Sequence, residues 1–322
     1  MERLYMDLIG ERIRVDCAEA SVREGVIEAA PLLECPPFAE APGLAYSFRT
    51  RSPGEPLPDL SSCRCDGVSA AQDFVFWRSG SERWLVVEGK SAARILLEEG
   101  RIDVLIDPEH LRDSWTIGHR LFFLPLLEWM RYRGRYPLHG SCFVSKGRGV
   151  IVCGPSGAGK SSATLSAIAS GCPFVADDTL FMLRKDGSVV LNPFPEPLKV
   201  GEGTSRFFPG LKDRLIPKNR KLLLPEDALP PPGRITEARP EVLLFPEIVD
   251  RARSRFERLP DSEAMARLLP QSVLPADREQ VEAHIAILAD LVSQVAAYRL
   301  LFGRDLPELP ARVSELAGGE VE

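Results

Sequence analysis

The chain has no apolar run of transmembrane length, and its polar start, Met1-Glu2-Arg3, carries no signal peptide. A cytoplasmic protein with no membrane partner is expected. A basic excess is also missing. The 40 Lys and Arg against 46 Asp and Glu leave a net charge of −6. That balance argues against nucleic acid as the main partner, because phosphate binding needs a concentrated positive face. The 7 cysteines (17, 35, 63, 65, 142, 153 and 172) form no regular framework, and their odd number leaves at least one unpaired. Free thiols in a reducing compartment are expected, with Cys153 and Cys172 filling core space. Cys63-Arg64-Cys65 would be half of a metal site, but no other Cys or His cluster supplies the rest. No internal repeat, Asn-Lys-x-Asp guanine motif or Leu-Ser-Gly-Gly transporter signature occurs. What remains is ordinary globular material: 322 residues, 44% hydrophobic and 27% charged, enough for one large domain or two.

Residues 1–105 read as a small α+β domain. Residues 4–15 alternate loosely, as a strand or hairpin would, and 18–30 form a helix with Val22, Val26 and Ile27 on one side, stopped by Pro31. The proline-rich stretch 34–58 is a loop around a short strand at 44–48. Short apolar runs follow at 74–77, 84–87 and 93–97, divided by turn residues. No motif here carries chemistry, so the domain is expected to serve structure or substrate docking. Residues 106–135 read as a connecting helix. Its stripe of Ile117, Leu121, Leu124, Leu127 and Trp129 lies within 111–132, and Pro125 predicts a kink or break.

The third region, 136–322, holds the motif that decides the reading. Gly154-Pro155-Ser156-Gly157-Ala158-Gly159-Lys160-Ser161 fits G-x-x-x-x-G-K-[ST] at every fixed position. The run 149–153 before it reads as a buried strand and 160–170 as a helix, the context in which such a loop cradles nucleotide phosphates. Gly154, Ser156, Gly157, Ala158, Gly159 and Ser162 would supply the cradle. Lys160 would neutralise the β- and γ-phosphates, and the Ser161 hydroxyl would hold Mg²⁺. ATP and Mg²⁺ are therefore the expected cofactors.

Seventeen residues past Lys160, the apolar run 173–176 ends in Asp177-Asp178. A strand end beside a P-loop is where one carboxylate can hold the metal or its water and another can accept a hydroxyl proton. His139-Gly140 stands fifteen residues before Gly154, and a strand from Ser141 to Ser145 pairing with the P-loop strand would return His139 to the phosphate edge. Further on, 180–183 and 189–191 flank a hairpin turn at 185–188, 192–197 holds three prolines and cannot be helical, and 225–240 reads as an extended loop or lid. A strand at 241–245 and helices at 261–269 and 278–301 close the domain. Lys199 and the run Lys212, Arg214, Lys218, Arg220, Lys221 are candidates for a clamp on the γ-phosphate. His110, His119 and His284 read as structural.

Leu138-His139-Gly140, the loop with its strand, Gly171, and Val175-Ala176-Asp177-Asp178 together resemble the catalytic domain of HPr kinase/phosphorylase, over about forty residues. The resemblance implies an α/β fold, a P-loop mixed sheet with helices preceded by the smaller α+β domain. It also implies Asp178 as base, Asp177 as the metal-side acid and His139 as their partner. The family's Glu-x-Arg-Gly-x-Gly signature does not follow; Asn192-Pro193-Phe194-Pro195-Glu196-Pro197-Leu198-Lys199 occupies that region. The chain looks more like the HPr-kinase-related proteins that share the core and differ outside it. A kinase acting on a hydroxyl, serine of a peptide or protein, is expected, and such kinases are often homo-oligomers. Two other readings stay open at this point. One is a small-molecule kinase or relative of the ATP-using phosphoenolpyruvate carboxykinases; the other is a nucleotide-gated switch.

Overall fold

The computed structural model describes residues 2–68, 73–218, 221–272 and 278–318. They divide into two compact units, one within Met1–Gly134 and Pro275–Val281, the other within Arg135–Leu274 and Glu282–Glu322. Among the described residues no helix is long and apolar enough to cross a membrane.

The first unit is a mixed eight-stranded sheet. Its order is Glu2–Leu8, Glu11–Cys17, Leu44–Thr50, Arg101–Ile106, Ser91–Leu96, Glu82–Val87, Phe74–Ser79 and Arg64–Val68. The hairpin turns at Gly10, which sits at φ +80° where only glycine is unstrained. Helix Ala20–Ala29 packs on the helical stretch 116–132, which belongs to this unit. That stretch breaks where proline disrupts it: a π-helical segment, Thr116–Phe123, passes into α-helix Leu124–Tyr132 with Pro125 in its first turn. Tyr46 is fully buried and donates its hydroxyl to the Phe122 carbonyl at 2.8 Å, tying helix to sheet.

The second unit is built on a six-stranded mixed sheet in the order Phe174–Ala176, Ser141–Ser145, Arg148–Val152, Pro240–Ile248, Ala296–Phe302, Arg255–Arg258. The P-loop strand Arg148–Val152 pairs antiparallel with Ser141–Ser145 and parallel with Pro240–Ile248. Its alternate residues face two cores. Val150 and Val152 pack with helix Lys160–Ala169, while Ile151 and Cys153 pack with helix Arg278–Gln294 through Ile287, Leu288 and Leu291. This is the α/β arrangement expected, with helices on both faces of a P-loop sheet.

One expected element is corrected. The helix read over 278–301 ends at Gln294, and Ala296–Phe302 is a strand paired parallel with Pro240–Ile248. No glycine or proline separates the two, and an inner strand covered on both faces reads as a continuous apolar run that periodicity cannot tell from buried helix. The segment 225–240 is not a free lid. Arg234 within it is bonded to Glu226, to the Val175 carbonyl at 2.8 Å and to the Glu196 carbonyl at 2.7 Å, and lies over the Phe174 ring.

Three antiparallel strands, Ser188–Pro193, Thr179–Lys185 and Tyr136–His139, make a second sheet, so the chain changes sheets between His139 and Ser141. Gly140 occupies that crossing. A Cβ there would stand 2.8 Å from Cys153 Sγ and 3.2 Å from the Val152 carbonyl, which gives the His-Gly pair a packing reason. Gly140→Ala is therefore expected to lower stability by about 1–3 kcal/mol through overpacking. Adding Cys153→Ala should recover part of that loss. Denaturant unfolding of both single variants and the double variant checks it, and strictly additive losses would contradict the contact.

Candidate active site

The P-loop takes its shape from two glycines and one distant phenylalanine. Gly157 at φ +84° and Gly159 at φ +107° turn the chain into helix Lys160–Ala169. At Gly159 a Cβ would also stand 2.9 Å from the Phe302 ring, so the strand Ala296–Phe302 is the floor of the loop. Lys160 Nζ donates to the Gly154 carbonyl at 2.7 Å and the Pro155 carbonyl at 3.3 Å, folding the lysine over its own loop. Ala158 N donates to the Pro155 carbonyl at 3.2 Å. Burial lowers the Lys160 pKa, against the opposing pull of Asp178.

Above the loop lies a cavity of about 390 Å³. Ser156, Gly157, Gly159, Lys160, Ser161 and Ser162 line one side; His139, Asp177, Asp178, Lys199, Gly201, Thr204, Lys221 and Ile248 line the rest. Gly154 and Ala158 belong to the loop but not to this lining. Of the basic run, Lys221 reaches the cavity. Lys212 and Arg214 do not line it, Arg214 bonding to the Ala228 carbonyl instead. Arg220 and the side chain of Lys218 lie outside the described residues. His110 bonds Ser91 at 2.7 Å in the first unit, and neither His119 nor His284 lines the cavity.

The Asp-Asp pair is divided by its surroundings. Asp177 is buried at 4% exposure; its Oδ2 accepts the Lys199 backbone N–H at 3.0 Å, and its Oδ1 has no hydrogen-bond partner. Burial drives its pKa up to about 6, against the Lys199 amide and the nearby Ser161 hydroxyl. A buried carboxylate oxygen without a donor, beside a serine hydroxyl at the head of a P-loop helix, is a donor set that suits Mg²⁺.

Asp178 is more open. In register, His139 faces Thr179, which sets the imidazole beside Asp178. Its Nδ1 is 3.0 Å from the Asp178 carbonyl oxygen and 3.1 Å from Oδ1, a geometry that puts the proton on Nδ1. Partial burial pushes the Asp178 carboxyl up, but the His139 hydrogen bond and the charges of Lys199 and Lys160 outweigh it and hold it at about 2. Asp178 is ionised at neutral pH, with Lys199 Nζ 3.7 Å from its Oδ2.

Two features were not read from the sequence. Glu196, 7% exposed, is salt-bridged to Lys199 Nζ, and burial lifts its pKa to about 7 despite that ammonium. Thr204 shares a 2.8 Å hydrogen bond with Ser162 and lines the cavity beside it. The signal for Glu196 was present as Pro195-Glu196-Pro197, a charged residue fixed between two prolines, but its partners are set by tertiary structure.

No protein-family model matches the chain. An HPr kinase/phosphorylase of Lactobacillus acidophilus is 36% identical over 76 residues, which is 23% of this chain and 24% of that protein. The chain thus matches about a quarter of the length of that curated relative. The solved Hpr(Ser) kinase/phosphatase of Coxiella burnetii superposes with a TM-score of 0.31 at 12% identity, covering 57% of this chain and 88% of that one. The resemblance to HPr kinase/phosphorylase expected from the motifs is therefore found over a short part of the chain.

The buried Asp177 carboxyl has a sign that can be tested. Its folded pKa of about 6 stands above the ordinary 3.8, so its charge costs stability above pH 6, and that cost fades as pH falls toward 3.8. The displacement corresponds to about 3 kcal/mol at most. Asp177→Asn should raise the thermal midpoint of the nucleotide-free protein at pH 7.5, with the gain vanishing near pH 4. Calorimetry at the two pH values decides; a lower midpoint at pH 7.5 contradicts the assignment.

Proposed function

We propose that this chain is an ATP- and Mg²⁺-dependent kinase that transfers the γ-phosphoryl group to a hydroxyl, that of serine in a peptide or protein. The observation that carries the reading is one cavity in which P-loop Lys160 and Ser161 meet an unsatisfied Asp177 oxygen and an ionised Asp178. The name of the Lactobacillus relative supports the same class of chemistry.

In this reading the loop amides and Lys160 bind the triphosphate, while Ser161 and Asp177 would hold the metal. Bound Mg²⁺ would supply charge neutralisation at the phosphates. Asp178 orients the acceptor hydroxyl. The acceptor O–P bond forms as the bond from the γ-phosphorus to the β–γ bridging oxygen breaks, and the hydroxyl proton passes to Asp178. With a pKa of about 2, Asp178 is a weak base. Proton transfer is therefore late, which suits a loose transition state in which little negative charge is drawn from the nucleophile early. His139 fixes the rotation of Asp178, and Lys199 supplies positive charge where the equatorial oxygens develop theirs. Acceptor recognition is assigned to the first unit and the segment 225–240, and assembly into homo-oligomers is part of the same proposal.

Transfer of labelled γ-phosphate from ATP and Mg²⁺ into a native lysate, separated into protein, peptide and small-molecule fractions, tests the reading. Label should enter protein or peptide and disappear with Lys160→Ala. Asp178→Asn should keep nucleotide affinity within about threefold while turnover falls by roughly 10²–10⁴. Label confined to small molecules would replace the acceptor class, and free phosphate with no labelled acceptor would favour the nucleotide switch.

A further inference from the structure

Lys199 is fixed from two ends. Its backbone N–H is held by Asp177 Oδ2 at 3.0 Å, and its ammonium is salt-bridged to the Glu196 carboxylate three residues earlier. Glu196 itself has little freedom. Pro195 and Pro197 restrict the backbone on both sides, and Arg234 holds its carbonyl oxygen at 2.7 Å. Arg234 is in turn bonded to the Val175 carbonyl, two residues before Asp177, so one buried guanidinium sets the spacing between the Asp-Asp strand end and the Glu196 segment. The charged groups acting on Glu196 are Lys199, Asp178 and Asp177. A carboxylate this buried is costly to keep charged, and Lys199 is its salt-bridge partner. Lys199 Nζ nevertheless stays 3.7 Å from Asp178, inside the cavity lining, whereas Glu196 does not line the cavity.

We propose that Glu196 is a positioning residue for the transfer reaction: it holds the Lys199 ammonium at a fixed place beside Asp178, where that charge meets the phosphoryl group in transit and not the resting triphosphate. This rests on the kinase reading of the site. Without Glu196 the long lysine side chain is free to fold onto Asp178 or to follow the nucleotide phosphates, so ground-state binding keeps its charge while the transition state loses it. The expected signature is a fall in kcat with little change in the KM for ATP.

Two measurements test this, one of which needs no catalysis. In the nucleotide-free protein, acylation of Lys199 by an amine-selective reagent at fixed pH, read by peptide mass spectrometry, should rise severalfold in Glu196→Gln, because the contact that pins the ammonium and withholds it from the reagent is gone. Unchanged reactivity overturns the proposal whether or not the chain is a kinase. The second is a double-variant cycle on the transfer rate with Glu196→Gln, Lys199→Met and both together. If Glu196 acts only through Lys199, the double variant should be no slower than Lys199→Met alone. Multiplying losses would mean that Glu196 serves by another route and overturns the catalytic half. Should Glu196→Gln fail to fold, Glu196→Asp, which keeps the charge and shortens the reach, replaces it in the cycle: a double variant no slower than Lys199→Met supports the proposal, and multiplying losses overturn it. Raised Lys199 reactivity with no transfer in the wild type would instead count against the kinase reading alone.

Discussion

Three carboxyl groups, Asp177, Asp178 and Glu196, are held in and beside one small cavity, and the cost of burying their charge is the constraint that the groups around them answer. Carboxylates brought this close in poorly solvated surroundings separate, take up protons or acquire counter-charges. Here each has a different answer. Asp178 keeps its charge with His139 and Lys199, Glu196 shares the Lys199 ammonium, and Asp177 is buried with one oxygen left over. The unequal answers matter more than the number of acids, because the proposed division between metal and acceptor needs two carboxylates that differ.

Keeping them apart is backbone work. The crossing at Gly140 brings His139 to the Asp178 carbonyl, and the Gly140 N–H donates to that same oxygen at 3.2 Å. Arg234, reaching out of a loop that would otherwise be an open flap, fixes the carbonyls of Val175 and Glu196. These contacts hold the side chains in place without a ligand, and groups fixed in advance are what electrostatic stabilisation of a developing charge requires.

The legible part of this design was the local part. The loop, its strand and helix, and Asp177-Asp178 lie within about forty residues, and each announces itself by residue type at fixed spacing. His139 was legible as a neighbour of that strand through one hairpin-like return. Lys199 was singled out for its charge, but its partner was not, since an ion pair with Glu196 signifies nothing until the prolines and Arg234 have fixed the segment. The residues of the strand Ala296–Phe302, Ala-Ala-Tyr-Arg-Leu-Leu-Phe, continue the helical pattern before them without a stop signal, so periodicity alone predicts helix there. In the first unit most strands are visible as short apolar runs, whereas Arg64–Val68 and Arg101–Ile106, interrupted by Asp66 and Asp103, are not, and the sheet order follows from pairings between distant residues.

The place of the strand Ala296–Phe302 in the sequence affects how the protein is made. Phe302 supports Gly159, and the parallel neighbour of the P-loop strand, Pro240–Ile248, is itself completed by Ala296–Phe302. A ribosome releases Gly159 long before it releases any of these. During synthesis the loop emerges without its floor, and its final shape waits for Phe302, which follows it far along the chain. The loop therefore takes its final shape late, and a chain cut short before Phe302 keeps an intact-looking motif without the ring that Gly159 packs against.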